Sequence, residues 1–348
     1  MHSLVEKLDN SGLLYRVGER VNWKYEIGEI ARSSGRPVLF EHINEYPDFS
    51  VLCNVLSTPL SFKAALGIDD ERAVTASKYI CKQMNRRIAP TFIQASWDSD
   101  QRGRAVDLYR LPVPWWHPSD AGRYIGTWHV NITGHPETGS RNAGVYRMQI
   151  LDRNHTTLSV SPRSHLNGHM REAEKRGLPL SMGVGIGVPE PLVIAAAANL
   201  REDDDEIEFA GALMDSPVAL AMGQTVDCVI PGSAEIILEG RVLPGKRVPD
   251  GPFMDYAGIP DRNPSAFVYE VSRIAHSREA IFRGTSVGLP GAEDHVLFSA
   301  LAKLGLTDFH GSRVRHFVQT FCLRQKLFGV LQMSGRFSQG LHKFREAS

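Results

Sequence analysis

The chain has 348 residues, of which 42% are hydrophobic, so it can bury a substantial core and divide into two or three domains. Lysine plus arginine and aspartate plus glutamate both number 39, which excludes a net field that steers the protein onto nucleic acid or an anionic membrane and favours a small-molecule partner. No apolar run approaches the roughly 20 residues of a spanning helix and no signal-peptide pattern opens the chain, so we expect a cytoplasmic protein without a membrane span.

The first predicted unit covers residues 1–112 and mixes strand-like runs with a helical pattern. Short β-branched and aromatic runs predict strands at 37–40 and 51–55, and the apolar spacing predicts a helix over 69–84. We therefore predict an N-terminal α/β domain.

Residues 113–262 change in character, because alternating polar and apolar residues are separated by turn-forming segments such as 135–139. The predicted elements, in chain order, are strands at 124–133, 143–151 and 157–161, a helix at 165–176, a strand at 180–188, a helix opened by 189–191 and a strand at 233–242. Successive strands with short turns predict an antiparallel sheet or barrel. Gly183, Gly185 and Gly187 lack the strand-turn-helix spacing of a dinucleotide fingerprint, so we predict no NAD site.

The last predicted unit, residues 263–348, contains the fewest regular patterns. A strand is predicted at 267–271, a helix at 292–304 and a basic amphipathic helix at about 313–332. We predict a shortened C-terminal α/β and helical region.

Candidate site residues begin at Asn142 and Arg147, which lie five apart in a strand-like run. Five-residue spacing places two side chains on opposite faces of a regular strand, but Gly144 between them offers a place to bend. An isolated arginine in a strand is also common on protein surfaces. The pair alone therefore leaves both interpretations open.

Asn142, His165 and Glu206 together offer an amide, an imidazole and a carboxylate. This ligand set suits Mn²⁺ or Mg²⁺ and leaves positions for phosphate oxygens and water. Glu206 also fits an acidic helix N-terminus that needs no function, and a lone histidine is usually structural. Spacing alone does not decide between a metal site and these alternatives.

Asp250 and Asp255 lie five apart in a segment rich in glycine and proline, which we predict to be a loop after a strand. Two carboxylates near one arginine can have their pKa values driven apart, so that one stays ionised and the other keeps a proton to donate. Aspartate is equally at home in turns. The segment is therefore compatible with general acid catalysis and with a plain turn.

Taken together, segments 133–149, 233–240 and 250–258 resemble the UbiD family of reversible aromatic and α,β-unsaturated acid decarboxylases. The resemblance implies three domains: an N-terminal α/β domain, a central split β-barrel of flavin-reductase type and a C-terminal α/β domain used for dimerisation. We therefore expect an α/β and β mixed, multidomain fold that forms a homodimer or a higher homo-oligomer.

The resemblance also implies a cofactor, prenylated FMN, whose phosphate is held through Mn²⁺ (or Mg²⁺) with K⁺ nearby. The family's metal ligands fall on Asn142, His165 and Glu206. The cofactor phosphate would lie along the backbone of Gly144, Val145, Tyr146 and Arg147 and along Ser164. A flavin prenyltransferase would supply the cofactor.

In the mechanism that the resemblance implies, the prenylated flavin is the electron sink while CO₂ leaves a small carboxylic acid substrate. The family's catalytic arginine falls on Arg147, which would orient the carboxylate and pair with Asp250, and Asp255 would protonate the carbon that lost CO₂. Glutamate is common in the family at both acidic positions, so the aspartate side chains here are each one methylene shorter. Family members are also longer than this chain, and we expect the C-terminal region to be truncated.

Two other functions use the same segments. A non-catalytic or partner-dependent subunit could retain the pocket, and an FMN-binding reductase could use the same barrel. The presence of Arg147, Asp250 and Asp255 favours a carboxy-lyase, because binding a flavin does not require that group. The sequence does not identify the acid.

Overall fold

The computed structural model describes residues 1–68, 75–201, 204–288 and 292–307. Within these residues the α-helices are α1 (His2–Asn10), α2 (Glu26–Ser34), α3 (Pro59–Ala65), α4 (Ala76–Gln83), α5 (His165–Lys175), α6 (Glu190–Ala197), α7 (Glu206–Met214) and α8 (Glu293–Ala302). The strands there are β1 (Tyr15–Val21), β2 (Val38–Ile43), β3 (Phe49–Cys53), β4 (Thr91–Phe92), β5 (Ser99–Arg102), β6 (His129–Gly134), β7 (Arg141–Gly144), β8 (His155–Leu158), β9 (Leu180–Ile186), β10 (Ala219–Met222), β11 (Val229–Pro231), β12 (Ile236–Met254), β13 (Pro260–His276) and β14 (Ala280–Arg283).

The N-terminal sheet has the order β1-β2-β3-β14. β1 runs parallel to β2, β2 is antiparallel to β3, and β3 runs parallel to β14. Apolar residues of β2 and β3, including Val38, Phe40 and Val51, are fully buried. The sheet is therefore completed by a strand from late in the chain.

The central sheet is antiparallel throughout its described pairings and curls into a half-barrel. Its order is β5-β13-β12-β9-β6-β7, and β8 pairs with residues 267–270 of β13. In β12, Ile237 joins one hydrophobic cluster while Ile236 and Leu238 join the other, as the alternation of side chains along a strand requires. The sheet thus separates the two cores.

A small third sheet, with the order β11-β10-β4, packs against β9. A Cβ atom at Gly183 would lie 2.2 Å from the carbonyl oxygen of Val229 in β11, and one at Gly185 would lie 2.7 Å from Pro231. These glycines are therefore needed for close packing of two layers.

The predicted element types are largely confirmed, while several bounds are wrong. Helix α5 starts at residue 165 as predicted, and α8 starts at 293, one residue after its predicted start. The predicted strands 124–133 and 143–151 overlap only with β6 and with the last two residues of β7. Residues 263–266, predicted to open a new unit, lie inside β13 and continue the central sheet. The domain bounds 1–112, 113–262 and 263–348 stay predictions, and the predicted helix at 313–332 lies outside the described residues. No helix in the described part of the chain is long and apolar enough to cross a membrane.

A buried ion network joins β14 to α6 and α8. Arg283, Glu190 and Glu293 are each at most 1% exposed. Arg283 donates from Nε to Glu190 at 2.7 Å and from Nη1 to Glu293 at 2.8 Å, and Trp128 donates to the second oxygen of Glu190 at 2.9 Å. Glu293 also accepts the backbone N–H groups of residues 54 and 56. The single guanidinium therefore pairs with two carboxylates that water does not reach.

Replacing Arg283 by methionine should lower the free energy of unfolding by about 3–5 kcal/mol, because two buried carboxylates lose their cation. Urea denaturation of the variant and of the wild type measures the difference. Arg86→Met is the matched control, since the Arg86–Asp215 pair is exposed and its loss should cost less than about 1 kcal/mol. Equal losses in the two variants would contradict a stabilising role of the buried network.

Candidate active site

The first part of the site is formed where β7 ends. Gly144 is the last residue of β7, and a Cβ atom there would lie 2.4 Å from the ring of Tyr146, which folds back over it. The backbone N–H of Tyr146 donates to the side chain of Asn131 at 3.3 Å, and Asn131 is fully buried. The predicted bend at Gly144 is thus present, and it separates Asn142 on the strand from Arg147 beyond it.

The structure brings Asn142, His165 and Glu206 together. Nδ1 of His165 lies 3.4 Å from Oε1 of Glu206, whose other oxygen accepts the backbone N–H of Ala143 at 3.0 Å. Asn142 and Glu206 are each 3% exposed. A cavity of about 160 Å³ adjoins the three side chains and is also lined by Ala143, Tyr146, Ser164, Ala196, Ala197, Ala198 and Asn199.

Helix caps fix two of these side chains. Ser164 is the N-cap of α5 and accepts the N–H of Asn167, so His165 begins the helix beside the cavity. Asp205 is the N-cap of α7, accepts two backbone N–H groups and binds Arg141 at 2.6 Å. Asp205 therefore stabilises the helix N-terminus, as the acidic run predicted, and Glu206 is buried beside His165. The role of Glu206 as a metal ligand stays a prediction.

The donor set of this cluster fits a divalent metal, because an amide oxygen, an imidazole nitrogen and a carboxylate oxygen are hard to borderline ligands. In the described residues no group of three or more histidine, cysteine, aspartate or glutamate side chains could hold a metal ion. This cluster contains two such residues and relies on Asn142 as the third. Tyr146 lies beside it, with its hydroxyl 3.5 Å from the Asn142 amide, and burial raises the pKa of Tyr146 to about 12.

The second part of the site is an ion pair between Arg147 and Asp250. Nε and Nη2 of Arg147 lie 2.6 and 2.5 Å from the same oxygen, Oδ1 of Asp250. Thr157 in β8 donates its hydroxyl to Oδ2 at 2.7 Å. Asp250 is 1% exposed, and burial raises its pKa above the usual range, although Arg147 and Thr157 stabilise the carboxylate.

The prediction that Asp250 lies in a loop is wrong. It lies inside β12, where it pairs with Asn263. Gly251, with φ +97°, follows directly, and a Cβ atom there would lie only 2.6 Å from the carbonyl oxygen of Asp261, so the strand needs glycine at this position. The register shifts on both sides of Asp250. A bulge therefore places this carboxylate under Arg147 without ending the strand.

Asp255 lies in the turn between β12 and β13, as its glycine-rich surroundings predict. Its Oδ1 accepts the backbone N–H groups of Ala257 at 2.8 Å and Ile259 at 3.4 Å. Burial raises the pKa of Asp255, while these two backbone N–H groups and, less strongly, the positive charge of Arg147 lower it. The two carboxylates thus differ in their partners: Asp250 has a cation and a hydroxyl, and Asp255 has backbone amides.

Sequence reasoning missed two further carboxylates. Asp261 in β13 accepts from Nη1 of Arg147 at 2.7 Å. Asp120 accepts the backbone N–H of Met254, next to Asp255, at 2.8 Å. Asp261 lies six residues after Asp255 across the turn, so recognising the hairpin would have brought it opposite Arg147. No sequence signal marked Asp120, which meets this hairpin only through the fold.

Two family models match the chain: the 3-octaprenyl-4-hydroxybenzoate carboxy-lyase Rift-related domain over residues 93–290 and the N-terminal domain of the same enzyme over residues 5–76. The chain belongs to the UbiD family. An uncharacterized protein of Archaeoglobus fulgidus is 31% identical over 88% of this chain and 67% of its own length. A phenolic acid decarboxylase of Escherichia coli O157:H7 is 26% identical over 84% of this chain and 65% of its own length. The chain thus spans about two thirds of the length of these relatives.

Solved structures of UbiD proteins share the fold. An evolved dimeric form of the UbiD-class enzyme HmfF from Pelotomaculum thermopropionicum, in complex with prFMN, is 28% identical, with a TM-score of 0.79, over 86% of this chain and 70% of that chain. The vanillic acid decarboxylase of Sedimentibacter hydroxybenzoicus, at 24% identity, matches in fold with a TM-score of 0.81 over 86% of this chain and 66% of that chain. The family match and the decarboxylases among these relatives together show that the chain is a carboxy-lyase.

Asp120 should make the stability of this UbiD protein depend on pH. Burial raises the pKa of Asp120 to about 6, so the folded protein keeps a proton that the unfolded chain has lost. As the pH rises from about 4 to about 6, the free energy of unfolding of the wild type should therefore fall by up to about 3 kcal/mol. The Asp120→Asn variant should lack this fall. Urea denaturation at several pH values measures both slopes, with Asp215→Asn, an exposed site, as control. Identical slopes for wild type and Asp120→Asn would contradict the prediction.

Proposed function

We propose that the chain catalyses the non-oxidative, reversible decarboxylation of an aromatic, heteroaromatic or α,β-unsaturated carboxylic acid with prenylated FMN and a divalent metal. The observation that carries the proposal is the continuity of the site. Tyr146 contacts the amide of the candidate metal cluster, and the next residue, Arg147, pairs with buried Asp250. One backbone segment therefore links a phosphate-and-metal site to a carboxylate-binding group.

The residues present fit the implied cofactor and metal. Asn142, His165 and Glu206 would hold Mn²⁺ or Mg²⁺, with K⁺ nearby, and the backbone of residues 144–147 with Ser164 would lie along the phosphate. The curled antiparallel sheet supports a split barrel of flavin-reductase type. When bound, prenylated FMN supplies the electron sink that decarboxylation requires.

Arg147 would bind and orient the substrate carboxylate. Its guanidinium is only 12% exposed, so a carboxylate that reaches it is largely removed from water, where a charged hydrogen bond is stronger. Asp250 would act as the fixed partner of Arg147, because Thr157 holds its other oxygen. Release of CO₂ would then remove the negative charge that Arg147 binds.

Asp255 would deliver the proton to the carbon that lost CO₂. Burial favours its neutral form by raising its pKa, and among the described residues its carboxylate accepts backbone N–H groups and forms no ion pair. A carboxyl that keeps its proton closer to neutral pH is a better general acid. A flavin prenyltransferase as supplier of the cofactor and a homo-oligomeric assembly complete the proposal, and an evolved HmfF is itself dimeric.

Substituting Asp255 by asparagine should abolish decarboxylation and spare cofactor binding. The amide keeps the size and can still accept a backbone N–H, but it cannot donate a proton to carbon. Wild type and variant are co-expressed with a flavin prenyltransferase, and CO₂ release is measured from a panel of phenolic, heteroaromatic and acrylic acids. Mass spectrometry of the released flavin is the control for loading. Turnover by the fully loaded variant would remove Asp255 from its role.

Substituting His165 by alanine should lose the metal and the flavin together, because the metal is expected to hold the phosphate. Metal analysis and the flavin absorbance of the purified protein report both losses directly. Asn167→Ala, on the same helix turn but outside the proposed ligand set, is the control. A His165→Ala protein that purifies with metal and flavin at wild-type levels would refute the ligand assignment.

A further inference from the structure

The guanidinium of Arg147 is only partly used by the residues around it. Its Nε donates to Asp250 and its Nη1 donates to Asp261. Nη2 is buried and forms an ion pair with Oδ1 of Asp250 at 2.5 Å, but it has no well-aligned hydrogen bond within the part of the chain that the structure describes. It carries two N–H groups, and the one directed away from Asp250 is open to a further acceptor. Buried N–H groups without an acceptor are costly, so this nitrogen favours an incoming acceptor.

A carboxylate binds an arginine best with two oxygens on two nitrogens. The edge that carries Nε and Nη2 is occupied by Oδ1 of Asp250. The remaining bidentate edge joins Nη1 and Nη2, and Asp261 covers its Nη1 end at 2.7 Å. A substrate carboxylate that satisfies both nitrogens therefore has to take the place of Asp261.

The two acidic partners of Arg147 differ in how firmly they are held. The Asp250 side chain is fully buried and also accepts from Thr157 at 2.7 Å. The Asp261 side chain is 53% exposed and lies near the start of β13, opposite Phe253. Water can solvate the Asp261 carboxylate when this carboxylate moves away from Arg147. The buried Asp250 carboxylate cannot be solvated in this way. Asp261 is thus the partner that can be displaced.

We propose that Asp261 is a specificity-determining residue that covers Nη1 of Arg147 in the free protein and yields this nitrogen to the carboxylate of the substrate. The inference rests on the proposed role of Arg147 in binding that carboxylate. Asp261 then lowers the affinity for any carboxylate that is too weakly bound to displace it. It also keeps Arg147 extended toward the substrate position while the site is empty of substrate.

The charge of Asp261 reaches the other acidic groups of the site. Behind burial, which is the larger cause, it raises the pKa of both Asp250 and Asp255. Arg147 acts on these two carboxyls in the opposite direction. Further titratable groups nearby are Tyr256, Tyr124 and Asp120. The charge of Asp261 therefore influences the protonation of the proposed acid-base group.

The test compares the binding of benzoate and of its neutral isostere benzamide to the full-length, cofactor-loaded protein by isothermal titration calorimetry. Because an exposed ion pair is weak, Asp261→Asn should tighten benzoate binding by up to about fivefold. Benzamide binding should not change, since a neutral amide does not compete for the carboxylate position. Asp261→Glu, which restores the charge, should bind benzoate as the wild type does.

Two further variants separate the inference from the proposed function. Asp215→Asn removes the same charge from another exposed arginine pair of 2.7 Å and should leave benzoate affinity unchanged. Arg147→Gln should abolish benzoate binding. If Arg147→Gln does so but Asp261→Asn binds benzoate no more tightly than wild type, the displacement is wrong while the role of Arg147 stands. If Arg147→Gln binds benzoate normally, the displacement and the proposed role of Arg147 both fail.

Discussion

The ion pair between Arg147 and Asp250 is the interaction on which the site depends. It joins the irregular segment after β7 to a bulge inside β12, two parts of the chain that share no backbone hydrogen-bond ladder. Removing either partner would leave the other charge buried, so the pair holds both segments in one arrangement. The hydroxyl of Thr157 fixes the second oxygen of Asp250 and extends this constraint to β8.

The surrounding packing makes this arrangement precise. Asn131 is buried in β6 and accepts the N–H of Tyr146, and Asp120 accepts the N–H of Met254. Each polar side chain therefore satisfies a backbone group at a place where the chain leaves regular structure. Gly144 and Gly251 allow the close approaches that these departures need. These groups therefore fix the backbone around the proposed catalytic side chains.

The sequence predicted the residue types of the site better than their surroundings. Asn142, His165 and Glu206 meet around one cavity, and Arg147 pairs with Asp250, as the ordered motifs indicated. The assignment of Asp250 to a loop was wrong because glycine and proline mark bulges within strands as well as turns. Asp261 and Asp120 could not be found in the same way, since their roles depend on which strands are neighbours. The roles of all these residues in catalysis stay predictions.

The late strand of the N-terminal sheet has a consequence for how the protein is made. β14 pairs with β3, so a sheet begun by the first fifty residues is completed only after the whole central sheet has been synthesised. Its closing residue, Arg283, also carries the charge that Glu190 and Glu293 require. Contacts of such long sequence separation form slowly, and an emerging chain exposes the unpaired edge of β3 in the meantime. Until β14 has been synthesised, the edge of β3 therefore stays unpaired and open to association with other chains.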